Sequence, residues 1–309
     1  MPKKICQIIC LFITLLLFHN MTCFALEKTT VSVVFSSDME AYHQAWEGFN
    51  EFFKKNGVNL SVSTYNLAND DPETVILRIK KEKPPIVFAL GTRALKLLKM
   101  RVGEIPIIVC MVINQDEING ANITGVTLSI PTMIKLQWIN ENLSQTKRIG
   151  LIYSIETAEL VAKISQDCKK SGYEVVAQKI NSGEEITWAL QKIASRIDCF
   201  LMVPDARIYF PKSIEYLLME GLKRKFAVIG LSSFYTKAGA FVSFDCDYQD
   251  IGRQTAAMAM KILNGQSPTD IPSESPRKTT FSLNLLVAEK IGIKIPPVVI
   301  KEAKEVFGR

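Results

Sequence analysis

Histidine is almost missing: of 309 residues, only His19 and His43 carry an imidazole. His43 lies within a helical pattern and has no evident nucleophile beside it in the sequence. No GxSxG, HExxH or GxxxxGK[ST] sequence occurs, which closes the common routes to acyl transfer, zinc hydrolysis and nucleotide hydrolysis. No GxGxxG follows the first apolar strand, which ends in SSDMEAY instead, so no dinucleotide cofactor is expected. The seven cysteines form no CxxC and no metal-ligand spacing. Charge of one sign is scarce as well. Thirty-seven Lys and Arg face 31 Asp and Glu, a net +6 that is too small and too dispersed to argue for nucleic acid.

What is present begins with a leader. MPKK precedes the apolar run ICQIICLFITLLLF, and Cys23-Phe24-Ala25 supplies small residues at the cleavage positions. The apolar core is shorter than the roughly 20 residues of a spanning helix, so residues 1–25 read as a secretory signal peptide. A lipid anchor on Cys23 is the rival reading, with Asn20, Met21 and Thr22 making a poor lipobox. Beyond the leader no stretch is long and apolar enough to span a membrane. Removing the leader leaves 35 basic and 31 acidic residues, and Cys110, Cys168, Cys199 and Cys246 as expected buried thiols.

The rest alternates strand and helix. VSVVFS, PPIVFAL, IPIIVCMV, RIGLIYS, DCFLMVP and FAVIGL are short runs rich in β-branched residues. Between them lie helical periodicities such as DMEAYHQAWEGFNEFFKK, with Asp38 as the expected N-cap and Trp46 on the core stripe, as Trp138 and Trp188 are on theirs. Continuous apolar strands between amphipathic helices predict an α/β protein with parallel sheets covered on both faces. The alternation restarts at RIGLIYS without a flexible linker, which predicts two similar Rossmann-like lobes.

Ligands of open parallel sheets sit beyond the carboxyl ends of the strands. Those ends carry Ser36, Ser37, Gly91, Thr92, Asn114, Ser154, Asp205, Arg207, Ser232 and Ser233, with Tyr42 in the first helix, and either Tyr235 or Phe234 suited to an apolar wall. Hydroxyls, one carboxylate and an arginine suit hydrogen bonding to a small polar molecule. GTRALKLL, at Gly91, is either an anchor for a carboxylate at a helix start or a tight strand–helix connection.

The order and spacing of GTRALKLL, NITGVTLSI, KRIGLIYS, DCFLMVPD, KAGAFVSFDCDYQDIGRQTA and NLLVAEKIGIKIPPVVIKEA resemble the ABC transporter substrate-binding proteins of the tryptophan/tyrosine-binding type. DYQDIGRQ and the C-terminal N-L-x-x-A-x-x-x-G-I-x-I-P pattern are the most specific parts. The resemblance implies a type I periplasmic-binding-protein fold, with three crossovers near NITGV, AFVSFDCD and KTTFSLN. The lobes it implies are 26–127 plus 247–276, and 128–246 plus 277–309. Family members that bind amino acids read something like VPTDN where this chain reads VPDARIY. That leaves Asp205 for an ammonium and Arg207 for a carboxylate, or the two paired with each other; Asp245 on the second crossover completes the expected site.

The function expected from this reading is capture of a small polar or amphipathic ligand, an aromatic or other amino acid among the candidates. Delivery would be to the permease and ATPase of an ABC importer, with contact to the membrane only through the permease or a lipid anchor. No catalytic set and no cofactor is expected. A sensory binding protein of the same fold and a two-lobed glycosyltransferase-like enzyme are the alternatives.

Overall fold

The computed structural model describes residues 29–308. The expected leader and Cys23 lie outside the described residues. The first sheet contains β1 (Thr29–Phe35), β2 (Leu60–Asn66), β3 (Ile86–Leu90), β4 (Ile107–Val112) and β5 (Ile123–Thr127). Its order is β2-β1-β3-β4-β5, and every pair is parallel. The second sheet contains β6 (Arg148–Tyr153), β7 (Glu174–Lys179), β8 (Cys199–Leu201), β9 (Ala227–Gly230), β10 (Val242–Cys246), β11 (Thr279–Asn284) and β12 (Glu305–Phe307). Its order is β12-β11-β10-β9-β8-β6-β7. Read from β7 to β10 it repeats the first sheet; β11 then adds antiparallel to β10, with β12 parallel beside it. Each sheet thus has its own reversal of strand order, at β1/β3 and at β6/β8, where ligands of such folds bind.

Every residue of β3 and β4 is buried, as expected for central strands covered on both faces, and so is every residue of the edge strand β5. The covering helices of the first lobe are α1 (Glu40–Lys55), α2 (Pro72–Glu82) and α3 (Thr92–Arg101). Those of the second are α4 (Thr132–Asn142), α5 (Ala158–Lys170), α6 (Ile186–Ile193), α7 (Pro211–Arg224) and α8 (Ser233–Ala238). One long helix between β10 and β11, α9 (Tyr248–Leu263), returns to the first lobe and lies against α1. The chain ends with α10 (Leu285–Ile291), closed by Gly292 in the left-handed conformation, and α11 (Pro297–Glu302), begun by a proline.

The chain passes between the sheets three times. Leu128–Pro131 runs from β5 to α4, Asp247 joins β10 to α9, and a segment through Glu274 leads to β11. NITGV, expected near the first crossing, forms β5 itself, and the crossing follows it. Glu274 is fastened to β5: its N–H donates to the Gly125 carbonyl, and its carbonyl accepts from Thr127 N–H, both at 2.9 Å.

DYQDIGRQ is the hub of this return. Asp247 caps α9, accepting from Asp250 N–H at 2.9 Å. The buried Asp250 carboxylate accepts two bonds from Arg277 on the returning segment, at 2.7 and 2.9 Å. Gly252 lies where the helices touch backbone to backbone: a Cβ there would sit 1.8 Å from the Ala45 carbonyl oxygen. Gly48 on α1 is its counterpart, 1.9 Å from the Gln249 oxygen. Only glycine fits either position.

Two expectations are corrected. Asp38 does not cap α1: Met39 occupies that position without a side-chain bond, and the Asp38 carboxylate turns to His43 Nε2 at 2.6 Å. Trp188 is not core but 44% exposed, its ring covered by Lys192 one turn later. Trp138 is buried, and Trp46 stacks on Phe49. All four cysteines of the described residues are buried and free, and burial pushes the thiols up, Cys246 to about 12.

Candidate functional site

A cavity of about 850 Å³ lies between the carboxyl ends of the two sheets. On the first-lobe side it is lined by Thr92, by the loop Ile113–Glu117 and by Ser129 of the first crossing. The opposite wall comes from the β6–α5 turn and α5, the Pro204–Ala206 turn after β8, Tyr209, Leu231 and Tyr235. The loop owes its position to an irregularity. Between Cys110 and Val112 the β4–β5 register shifts, and Met111 adopts φ +64°, a left-handed conformation rare for a non-glycine. The bulged residue turns the chain out of the sheet just before Ile113.

Asp205 lines this cavity and is buried. Its Oδ2 accepts from Thr157 Oγ1 at 2.6 Å and Ser154 N–H at 2.9 Å; its Oδ1 accepts from Arg207 N–H at 3.0 Å. Burial alone would raise the carboxyl, but these donors hold it below the usual carboxylate range. Three bonds leave one acceptor position of the four unused, on Oδ1. The Arg207 side chain goes elsewhere, reaching Glu156 Oε1 at 3.3 Å in a solvent-exposed pair. It pairs not with Asp205 but with Glu156, itself a lining residue.

The other expected residues divide. Thr92 and Asn114 line the cavity, and Asn114 Oδ1 also accepts from Asp116 N–H at 3.0 Å. Ser154 is buried behind Asp205, its hydroxyl accepting from Glu156 N–H. Ser36, Tyr42 and Gly91 come together but outside the cavity lining. Ser36 Oγ accepts from Ala94 N–H at 2.9 Å, filling one of the free donors at the start of α3. A Cβ on Gly91 would lie 2.4 Å from the Tyr42 hydroxyl and 2.7 Å from Ser36 Oγ. Gly91 is thus covered by protein, as in a tight strand–helix connection, while Thr92 beside it faces the cavity. Ser37, Ser232 and Ser233 are half-buried and are not among the lining residues. Asp245 lies off the cavity too, accepting from the Tyr248 hydroxyl at 2.6 Å. Tyr235 is at the wall, whereas Phe234 is exposed.

Sequence reasoning missed most of the charge. Asp116, Glu117, Glu156 and Glu159 join Asp205 around the cavity, against a single lining lysine, Lys163. Lys163 Nζ reaches Asp116 Oδ2 at 3.0 Å, an ion pair that spans the cleft from α5 to the bulge loop. The lining is therefore acidic, with two tyrosines in it.

A second chamber of about 220 Å³ shares the walls Ile113, Ser129, Leu160, Pro204, Leu231 and Tyr235 with the first. Its remaining lining is Leu128, Ile130, Thr132, Ile164, Leu201 and Met202, plus one charged side chain, Lys135 of α4. Among the described residues Lys135 makes no salt bridge and no hydrogen bond. Burial lowers its ammonium to about 8, with the nearby Cys246 acting the other way.

Comparison with known proteins agrees with this architecture. Residues 28–307 match the family model described as ABC transporter substrate binding protein. A tyrosine-binding protein of Clostridioides difficile (strain R20291) is 25% identical over 245 residues, 74% of this chain and 70% of that one. An uncharacterized protein of Rickettsia prowazekii (strain Madrid E) is 24% identical over 282 residues, 89% of this chain and 88% of its own. Among solved structures, the ligand-free, open form of a substrate-binding protein with adhesive properties from Clostridium difficile superposes with a TM-score of 0.77 at 19% identity. It covers 91% of this chain and 100% of that one. A Streptococcus pneumoniae domain in complex with L-Trp gives 0.66 at 20% identity, again over 91% and 100%. At these identities the structures speak for the fold, a type I periplasmic-binding-protein arrangement of two lobes about a cleft. With the family model spanning nearly the whole described chain, this protein belongs to the ABC transporter substrate-binding protein family.

Proposed function

We propose that the protein is exported, captures a small amphipathic ligand bearing an ammonium group, and delivers it to the permease and ATPase of an ABC importer. Amino acids are the first class to consider, and an aromatic one fits the two tyrosines. The observation that carries the ligand class is the lining itself: of its five carboxylates, Asp116, Glu117 and Glu156 are paired with Lys163, Lys96 and Arg207, and Glu159 and Asp205 have no ion-pair partner among the described residues. A cation entering this cavity meets the uncompensated charge of Glu159 and Asp205 and, at Asp205 Oδ1, an acceptor held in place by backbone and hydroxyl donors. Lobes of 26–127 plus 247–276 and 128–246 plus 277–309 would hinge at the three crossing segments. Closure follows from the ligand touching both walls, since only contacts made better in the closed state shift the population toward it. The permease would then read the closed form on the outer faces of both lobes. No enzymatic step is assigned to the site.

A thermal-shift screen of the purified protein against amino acids, nucleosides, sugars and organic acids tests this. A ligand at 100 times its Kd adds about 2.7 kcal/mol, a rise of several degrees in Tm. Amino acids are expected to give it, and Glu156→Gln combined with Glu159→Gln to reduce it. Stabilisation by sugars or nucleotides with no response to any amine would overturn the ligand class.

A further inference from the structure

The geometry points to the smaller chamber as a specificity pocket that takes the ligand's apolar side chain and reads a hydrogen-bond acceptor or anion at its far end through Lys135. Its walls are aliphatic on the crossing segment (Leu128, Ile130), on α5 (Leu160, Ile164) and on the β8 end (Leu201, Met202), with Tyr235 closing the side shared with the main cavity. A surface lysine extends its stem over apolar neighbours and keeps its head in water. Lys135 instead is half-buried against this apolar chamber with no anionic or carbonyl partner among the described residues, an arrangement that costs stability unless a ligand completes it. Partial burial against these aliphatic walls also lowers the Lys135 ammonium. At about 30 Å³ of liquid volume per water, 220 Å³ is the space of roughly seven waters, comparable with one side chain of aromatic size.

The two cavities then divide the ligand between them. The acidic cavity takes the ammonium end, the chamber takes the apolar body, and Lys135 meets what terminates it. A phenol oxygen or a carboxylate would satisfy the ammonium; a bare phenyl ring would bury it unpaired. Sites built around a buried polar group discriminate strongly against a ligand that leaves the group unmatched. The inference deepens the amino-acid reading and relies on it for the choice of probes.

The test is calorimetric titration of wild type and Lys135→Met with L-phenylalanine, L-tyrosine and 4-carboxy-L-phenylalanine, which differ only at the far end. Wild type is expected to bind the hydroxyl- and carboxylate-ended probes about 10- to 100-fold more tightly than phenylalanine, the range of one charge-assisted bond. Lys135→Met, which keeps the volume, is expected to abolish or invert that order. The same order and ratios in both proteins would overturn the specificity pocket while leaving amino-acid binding intact. If wild type binds none of the three, the aromatic amino-acid reading fails and the chamber is judged alone with hexanoate, an apolar chain ending in a carboxylate. The Lys135 Cε–Hε signal, assigned by its loss in Lys135→Met, must then move on adding hexanoate and stay still with hexan-1-amine. No movement with hexanoate overturns the inference.

Discussion

Two charged residues, one buried and one half-buried, show how differently the chain treats its ions. Asp250 is matched: Arg277 grips it with two bonds, and Arg253 and Lys278 approach at 3.4 Å. The Arg277 bonds, outweighing burial, lower its carboxyl from 3.8 to about 2. A carboxyl depressed in the folded state contributes stability that is complete above its unfolded value and is lost as pH falls through the folded one. The window is therefore pH 4 to 2, and the amount about 2 kcal/mol. Asp250→Asn is expected to lower Tm at pH 6 and to flatten its fall between pH 4 and 2, read by melts across that range. Lys135 is the opposite case. Its ammonium is lowered from 10.5 to about 8, so it costs stability below pH 8, and the cost fades as pH rises toward 10.5. Lys135→Met is expected to raise the Tm of the ligand-free protein at pH 7 by a few degrees, about 1–2 kcal/mol. The difference from wild type should shrink above pH 9. Little of this was legible in the sequence. Asp205 at the end of β8 could be read from strand position alone, because the carboxyl ends of parallel strands meet. The partner of Arg207 could not, since Glu156 reaches it only through the packing of two turns. Lys135, in TMIKLQWINEN, looks like an ordinary exposed helical lysine; only the crossing segment above it makes a chamber there.

At the level of elements the alternation of strand and helix was enough to place six central strands and the restart between lobes. Strands β2 and β7 escaped the same reasoning. They are outer strands, their residues alternate between half-buried and exposed, and LSVSTYN and EVVAQK carry too little apolar run to stand out. The family motif DYQDIGRQ stood out in the sequence, but the need for its glycine comes only from the close crossing of α1 and α9. Gly252→Ala forces a methyl group to within 1.8 Å of a carbonyl oxygen, and two rigid helices must part to admit it. Overpacking of this kind costs about 1–3 kcal/mol or more. The expected result is a Tm several degrees lower with the ligand Kd nearly unchanged, measured by calorimetry on the same preparation. Gly265→Ala is the comparison, since nothing lies within 4 Å of a Cβ at that position, although its own φ of +93° adds strain.

At the scale of the whole molecule, Asp116–Lys163 is the one direct ion pair between facing walls of the cleft among the described residues, with both side chains more than half exposed. Exposed pairs contribute about 0–1 kcal/mol and are screened by salt, so this one biases the cleft toward narrowing without locking it. Lys163→Glu replaces attraction with repulsion and is expected to widen the ligand-free cleft. Small-angle scattering should show a larger radius of gyration in low salt and recovery toward wild type at 1 M NaCl. An identical radius in both proteins at every salt concentration would mean that the pair does not hold the lobes. The path of the chain through the molecule has a consequence for its birth. Helix α9 seals the first lobe, with Arg253 meeting Glu51 across 202 residues of sequence. Synthesis delivers β1 to β5 and α1 early, yet the face of α1 bearing Gly48, which meets Gln249 of α9, stays uncovered until β6 to β10 of the second lobe have been made. The nascent chain is thus left with a long interval in which its earliest sheet is unfinished and sticky, and in which a holding chaperone has something to hold.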